Sequence, residues 1–197
     1  SGQTTVNIAS NWNGGATAMD SYAWKSAVHE IGHSLGLGHG GHYNGSGVTW
    51  AGDAEYWNDT RLLTNMSYFN PNNGDGVTDS NEHSTITGSH INNATMMAGD
   101  YYAFRDIYSN VAHVDAHAGN TTLGFGTNIS NASDPVWNQM VYNIGNSRFF
   151  YTDKATSSYD TVDFRNFADN QRIDLRVTTD GMTDAYWSNI GGEVKNL

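Results

Sequence analysis

The sequence predicts an α+β protein in which helices come first and short strands follow. Two segments, about residues 21–35 and 96–108, have the residue spacing of helices. After about residue 110 the pattern changes to short strand-like runs divided by turn residues, among them T-L-G-F-G and D-T-V-D-F. We therefore expect two parts: a helix-bearing part over residues 1–110 and a mostly antiparallel β domain over residues 111–197.

The composition excludes some binding partners and some kinds of metal site. The chain has 197 residues, no cysteine and a formal net charge of −11. Because nucleic acids require a basic surface, we expect no nucleic-acid partner. The lack of cysteine excludes disulfides and thiolate metal ligands. No apolar run approaches the roughly 18 residues of a membrane span, so we expect none.

The first part should contain a strand and then a long helix. Residues 4–10 alternate between apolar and polar types and predict a short strand. Asp20 or Ser21 can cap a helix that runs to about Leu35, where Gly36 suits the helix end because glycine adopts positive φ freely. The expected buried face of this helix consists of Tyr22, Ala23, Ala27 and Ile31.

The end of this helix carries the stretch H-E-I-G-H-S-L-G-L-G-H, residues 29–39. His29 and His33 are four residues apart, so they share one helix face and can share one ion. Gly36 permits a sharp turn that returns His39 as a third ligand. Three protein ligands leave a coordination position for water, which is the catalytic pattern of zinc sites. His42, three residues further on, is an alternative third ligand.

Glu30 is rotated away from the ligand face, so it can point past the metal towards a bound water. Zinc lowers the pKa of such a water and polarises the scissile carbonyl. Glu30 can then take the proton of the water and pass it to the leaving amine. The stretch therefore predicts a zinc-dependent endopeptidase that hydrolyses peptides or proteins through a zinc-bound water, with Glu30 as the general base.

The eleven residues match H-E-x-x-H-x-x-G-x-x-H, the signature of the metzincins, and Met66 in N-M-S-Y-F-N supplies their Met-turn. The M-S-Y form resembles the serralysins, the secreted bacterial proteases of that clan. The resemblance implies a metzincin-type catalytic domain, Zn²⁺ on the three histidines with His39 preferred to His42, and secretion. It implies that Tyr68 is an extra zinc ligand that swings away to stabilise the oxyanion.

The resemblance extends over nearly the whole chain in family order, but two family features are missing. Only 28 residues precede His29, so most of the sheet whose edge binds the substrate is absent. We expect a missing N-terminal fragment or a second chain to complete the catalytic domain. The glycine-rich calcium repeats of the family's C-terminal domain are also absent.

The resemblance further implies a Ca²⁺ site at the start of the β domain. The residues that match it are Gly119, Thr121 and Asp160. Asn120 replaces an aspartate of the family, and Ala155 and Ser157 stand where the family has an aspartate and a glycine. A second candidate, residues 72–82, has the spacing of an EF-hand loop, but Pro71 occupies the position of the first ligand, which favours a solvated loop.

Two functions remain open at this point. One is the zinc endopeptidase. The other is a catalytically incomplete structural or interaction protein, derived from a serralysin, that binds zinc for stability. The presence of Glu30, which is not a ligand, favours the enzyme.

Overall fold

The computed structural model describes residues 4–15, 21–56, 59–61, 63–69, 93–111, 119–129, 159–165 and 167–168. Within these ranges the regular elements are a 3₁₀-helix, Trp12–Gly15, three α-helices, α1 (Tyr22–Ser34), α2 (Trp50–Asp53) and α3 (Ala98–Ile107), and two strands, β1 (Thr122–Gly124) and β2 (Thr161–Asp163). This mixture of helices and strands agrees with the α+β class. None of the helices in the described ranges is long and apolar enough to cross a bilayer.

Helix α1 begins and ends as the sequence predicts. The Ser21 hydroxyl oxygen accepts a hydrogen bond from the Trp24 N–H at 3.0 Å, which caps the first turn. At the other end Gly36 has a φ of 101°. The Leu37 N–H donates to the Gly32 carbonyl and the Gly36 N–H to the His33 carbonyl, both at 3.0 Å. This pair of bonds is a Schellman motif, and it turns the chain sharply after the helix.

The predicted buried face of α1 is wrong. The buried residues are Lys25, His29 and Gly32, whereas Tyr22 and Ile31 are each 45% exposed. The inner face is set by a close approach: a Cβ on Gly32 would lie 2.5 Å from the Met66 sulfur. The helix therefore packs through its smallest residue rather than through its apolar ones.

The strand predicted over residues 4–10 is not formed. Residues 4–9 have no regular secondary structure, and they have no strand partner among the described residues. A lone strand is not stable without a neighbour to take up its backbone hydrogen bonds, however regular its alternation. This segment instead lines a cleft beside α1.

A small aromatic core supports the loop that follows α1. It consists of Tyr43, Trp50, Ala54 and Phe69, with Val48 and Tyr68 packed against it. Helix α2 contributes Trp50 and is capped by Thr49, whose hydroxyl oxygen accepts from the Gly52 N–H at 3.2 Å. The core therefore fixes the chain just after His39.

Helix α3 is also present where it was predicted. It starts after Met97, and the Asp100 carboxylate accepts from the Met97 N–H at 2.8 Å. At its far end the Tyr108 hydroxyl donates to the Leu35 carbonyl at 2.8 Å. This bond connects the C-terminal ends of α3 and α1.

Strands β1 and β2 coincide with two of the predicted runs. They pair in register Thr122 to Thr161, Leu123 to Val162 and Gly124 to Asp163, and Leu123 is fully buried. The pair is parallel, whereas we expect a mostly antiparallel domain over residues 111–197. Parallel neighbours need a connection of about a dozen or more residues, which the separation of these two strands in the sequence allows. Most of residues 111–197 lies outside the described residues, so the two-part division at residue 110 stays a prediction. The EF-hand-like segment, residues 72–82, also lies outside them.

Candidate metal centre

The structure brings His29, His33 and His39 together. One ring nitrogen from each can be chosen so that all three lie within 4.8 Å of one another, a grouping that could hold a metal ion. The Nε2 atoms of His33 and His39 are 3.1 Å apart. The first two residues come from one face of α1, and the turn at Gly36 returns the third.

The second nitrogen of each ring is hydrogen-bonded to a backbone carbonyl. The Nδ1 atoms of His29, His33 and His39 lie 2.8, 2.9 and 2.8 Å from the carbonyl oxygens of Asn65, Leu37 and Tyr43 respectively. Because a carbonyl can only accept, each Nδ1 must carry the proton and donate it. Each Nε2 therefore presents a lone pair, which is the tautomer that a metal ion requires.

Burial lowers the pKa of two of the three histidines. Burial lowers the pKa of His29 from 6.5 to about 4, helped by the positive charge of Lys25 and opposed by the Asn65 carbonyl. Burial also lowers the pKa of His39. At neutral pH both rings are therefore neutral. With Nδ1 of each ring as the donor, the Nε2 atoms of His33 and His39 lie 3.1 Å apart and offer their lone pairs to the same space, where one cation can bind both. On these grounds the residues fit a zinc ion.

Met66 is buried against α1. It is 2% exposed, and its sulfur lies 2.5 Å from the point where a Cβ on Gly32, between His29 and His33, would be. That Met66 forms a Met-turn stays a prediction.

Tyr68 lies beside the histidines. Its ring centroid is 4.6 Å from that of His39 and 6.0 Å from that of His29. Its hydroxyl donates to the Asn44 side-chain oxygen at 3.4 Å. The side chain is therefore next to the site, while its hydroxyl is engaged with Asn44.

Glu30 is exposed and lines the same cleft as His29 and His33. The cleft has a volume of about 890 Å³ and is bounded on one side by residues 4–9. This size falls within the range of sites that bind small molecules and short peptide segments. The carboxylate is thus placed in open space next to the candidate metal ligands.

His42 does not join the cluster. Its Nδ1 atom lies 2.9 Å from the Glu55 carboxylate, and its side chain is 94% exposed. Of the two alternatives for the third ligand, the structure places His39 with His29 and His33.

Sequence reasoning missed the residues that support the ligands. The Tyr43 hydroxyl donates to the Asp59 carboxylate at 3.1 Å and accepts from the Tyr68 N–H at 3.4 Å. Burial, and then the charge of Asp59, raises the pKa of Tyr43 well above its usual value, so the phenol stays protonated and donates. Gly40 is required here because a Cβ would overlap the Asp59 carboxylate.

The residues of the candidate calcium site are engaged with one another. The Asp160 carboxylate accepts from the Thr121 N–H at 3.0 Å, and the Thr121 hydroxyl donates to the Gly119 carbonyl at 3.3 Å. The Asn120 side chain accepts from the Tyr159 N–H at 2.9 Å. Calcium takes six to eight oxygen ligands. Two of these bonds, those from Thr121 to Asp160 and from Tyr159 to Asn120, join the two chain segments directly. The calcium site stays a prediction.

Three histidines that present lone pairs to one point, with a carboxylate beside them, define the class: a candidate metal-dependent hydrolase centre. No protein-family model matches the chain. The chain is 30% identical over 185 residues to the metallopeptidase AprA of Pseudomonas marginalis, which covers 91% of this chain and 33% of that protein. It is 29% identical over 182 residues to a serralysin of Photorhabdus luminescens, an alignment that covers 91% of this chain and 32% of that protein. It is 30% identical over 188 residues to serralysin C of Dickeya chrysanthemi, with 89% of this chain and 32% of that protein covered.

The chain is thus similar to a metallopeptidase and to serralysins over about nine-tenths of its own length. The chain spans about a third of the length of these relatives. The resemblance inferred from the H-E-x-x-H and M-S-Y motifs is therefore confirmed.

Proposed function

We propose that this chain forms part of a zinc metalloendopeptidase of the serralysin type. His29, His33 and His39 hold the Zn²⁺, and Tyr68 is an additional ligand. The observation that carries the proposal is the set of three Nδ1–H···O=C hydrogen bonds, which leave three Nε2 lone pairs grouped together. Similarity to proteins named as metallopeptidases and serralysins supports it.

The chain's own residues divide the chemistry between them. Held by His29, His33 and His39, a zinc ion would supply the Lewis acidity that polarises a scissile carbonyl and lowers the pKa of a water molecule. Glu30 takes a proton from that water and delivers it to the leaving amine. Tyr68 moves its hydroxyl away from the ligand position and donates a hydrogen bond to the developing oxyanion.

The substrate is a protein or peptide that lies in the cleft between α1 and residues 4–9. Apolar side chains on this side, Ile8, Trp12 and Tyr22, are each more than 40% exposed and line the cleft. They can receive apolar side chains of a substrate. We also propose that the protein acts outside a bacterial cell.

The alternative, a structural protein that binds zinc only for stability, has less support. It gives no reason for an acidic side chain in the cleft beside the ligands, and the relatives are named as proteases.

The test combines metal content with hydrolysis of fluorescent casein. About one zinc per chain and casein cleavage are expected. Glu30→Gln should retain the zinc and lose cleavage by two or more orders of magnitude, on the order of a general base's contribution. Glu55→Gln, outside the cleft lining, is the matched control and should cleave casein as the original chain does. Cleavage that Glu30→Gln leaves undiminished would refute the proposed mechanism, and the absence of bound zinc would refute both functions.

A further inference from the structure

Asp100, a buried carboxylate on α3, is connected to His29 through Asn65 by two successive hydrogen bonds. Asp100 is 1% exposed and was not singled out by any motif. Its Oδ2 atom accepts from two backbone N–H groups, those of Met97 and Asn65, each at 2.8 Å. Its Oδ1 atom accepts from the Thr64 hydroxyl. Only the Met97 bond serves the start of α3. The other two hold the turn that carries Asn65.

Asn65 is held at each of its polar groups. Its N–H is bound by Asp100, and its side-chain amide donates to the Lys25 carbonyl at 3.3 Å. Its side-chain oxygen accepts from Asn93 at 3.2 Å. Its carbonyl accepts from His29 Nδ1 at 2.8 Å. The N–H and the carbonyl of Asn65 belong to successive rigid peptide units that meet at its Cα, so only φ and ψ of Asn65 can change the direction of one relative to the other. The hydrogen bonds to its N–H and its side chain restrict these angles and so limit where the carbonyl can point.

We propose that Asp100 is a positioning residue for the metal: by holding the Asn65 backbone it fixes the carbonyl that sets the tautomer and orientation of His29. This inference rests on the proposed function, since it requires that His29 bind an ion. Partners one step behind a metal ligand typically change metal affinity by about 10–100-fold when removed. Asp100 contacts Asn65 rather than the ligand His29 itself, so we expect its removal to weaken metal affinity by an amount at the lower end of that range.

A purely structural role would affect only folding, so the experiment measures metal binding by folded protein. The apparent Kd for Zn²⁺ is measured by competition with a chromophoric chelator. The geometry of the ligands is monitored by the visible spectrum of the Co²⁺-substituted protein. Asp100→Ala should weaken zinc about tenfold and change the cobalt spectrum. Asp106→Ala makes the same substitution at an exposed site of α3 and should change neither.

A second control separates positioning from loss of stability. Leu123→Ala opens a cavity at a fully buried position of β1 and should lower stability while leaving zinc affinity within about twofold. The inference is overturned if folded Asp100→Ala binds zinc and cobalt as the original chain does. It is also overturned if Leu123→Ala weakens zinc to the same extent.

If Asp100→Ala does not fold, two conservative variants test whether Asp100 positions His29. Asp100→Asn keeps an oxygen for the two N–H donors and can donate to the Thr64 hydroxyl, so near-native zinc affinity is expected. Asp100→Glu keeps the charge but moves it by one methylene, so weaker zinc is expected. The reverse order would overturn the inference. If the original chain itself binds no zinc, the proposed function fails, whereas zinc binding that is insensitive to Asp100 removes only this inference.

Discussion

The carbonyl oxygen of Tyr43 lies 2.8 Å from the Nδ1 atom of His39, and the Tyr43 ring stacks on the same imidazole, 5.7 Å between centroids and 10° between planes. One residue thus holds the third candidate ligand both through its backbone and through its side chain. The Tyr43 hydroxyl also donates a hydrogen bond to the buried Asp59 carboxylate.

Tyr43→Phe should destabilise the protein without releasing the metal. The substitution keeps the stacked ring and the backbone carbonyl, but the buried Asp59 carboxylate loses a donor, at a cost of about 1–3 kcal/mol. Denaturant unfolding measures the change, and metal analysis should still find zinc. Tyr159→Phe is the matched control, because Tyr159 is 86% exposed. Equal stability of the two variants would show that the Tyr43 hydroxyl contributes little.

The metal-free protein should lose stability as the pH falls from about 6.5 to 4. His29 has its pKa lowered by burial from 6.5 to about 4, so in this window the unfolded chain binds a proton that the folded chain does not. The free energy of unfolding therefore rises with pH between about 4 and 6.5, and above pH 6.5 it no longer depends on His29. The titration of His29 changes this free energy by about 3 kcal/mol.

Urea unfolding of chelator-treated protein at several pH values tests the effect of His29. His29→Gln, which cannot titrate, should show a flatter pH dependence by about that amount. Parallel curves for the two proteins would mean that His29 titrates normally in the folded state.

The junction between residues 119–121 and 159–160 should not depend on calcium. The Asn120 side chain accepts from the Tyr159 N–H, and Asp160 accepts from the Thr121 N–H. These bonds join the two segments directly, so a calcium chelator should leave the thermal midpoint unchanged. Asn120→Ala should lower stability by about 0.5–1.5 kcal/mol, the usual net value of a hydrogen bond. A fall in the midpoint on chelation, reversed by added calcium, would contradict this.

The candidate ligands could be predicted because metal chemistry restricts residue type and helix geometry restricts spacing. His29 and His33 must be histidines on one helix face, and Gly36 must turn the chain for His39 to reach them. The atoms that orient these rings could not be predicted. They are backbone carbonyls, which every residue possesses, so residue type carries no signal for them.

The two failures in the first part of the fold have one cause: a pattern within a segment does not specify what lies beside it. Residues 4–10 alternate as a strand does, but a strand also needs a partner. Ile31 continues an apolar spacing on α1, yet it is 45% exposed because the inner face of the helix packs against Met66 through Gly32. The cap at Ser21 and the turn at Gly36 were predicted correctly because both are determined by residues next to them in sequence.

The contact between α1 and the Met66 turn gives a direct test of that packing. A Cβ at Gly32 would lie 2.5 Å from the Met66 sulfur, so Gly32→Ala forces Met66 or the helix to move. Overpacking of this kind costs about 1–3 kcal/mol. Although alanine favours helices more than glycine does, we expect the unfolding free energy to fall and zinc affinity to weaken, because His29 and His33 lie on the displaced helix. Gly38→Ala, where nothing lies within 4 Å of the new methyl group, is the control and should be tolerated. If Gly32→Ala were as stable as the original chain and bound zinc as tightly, Met66 would not be packed firmly beneath the helix.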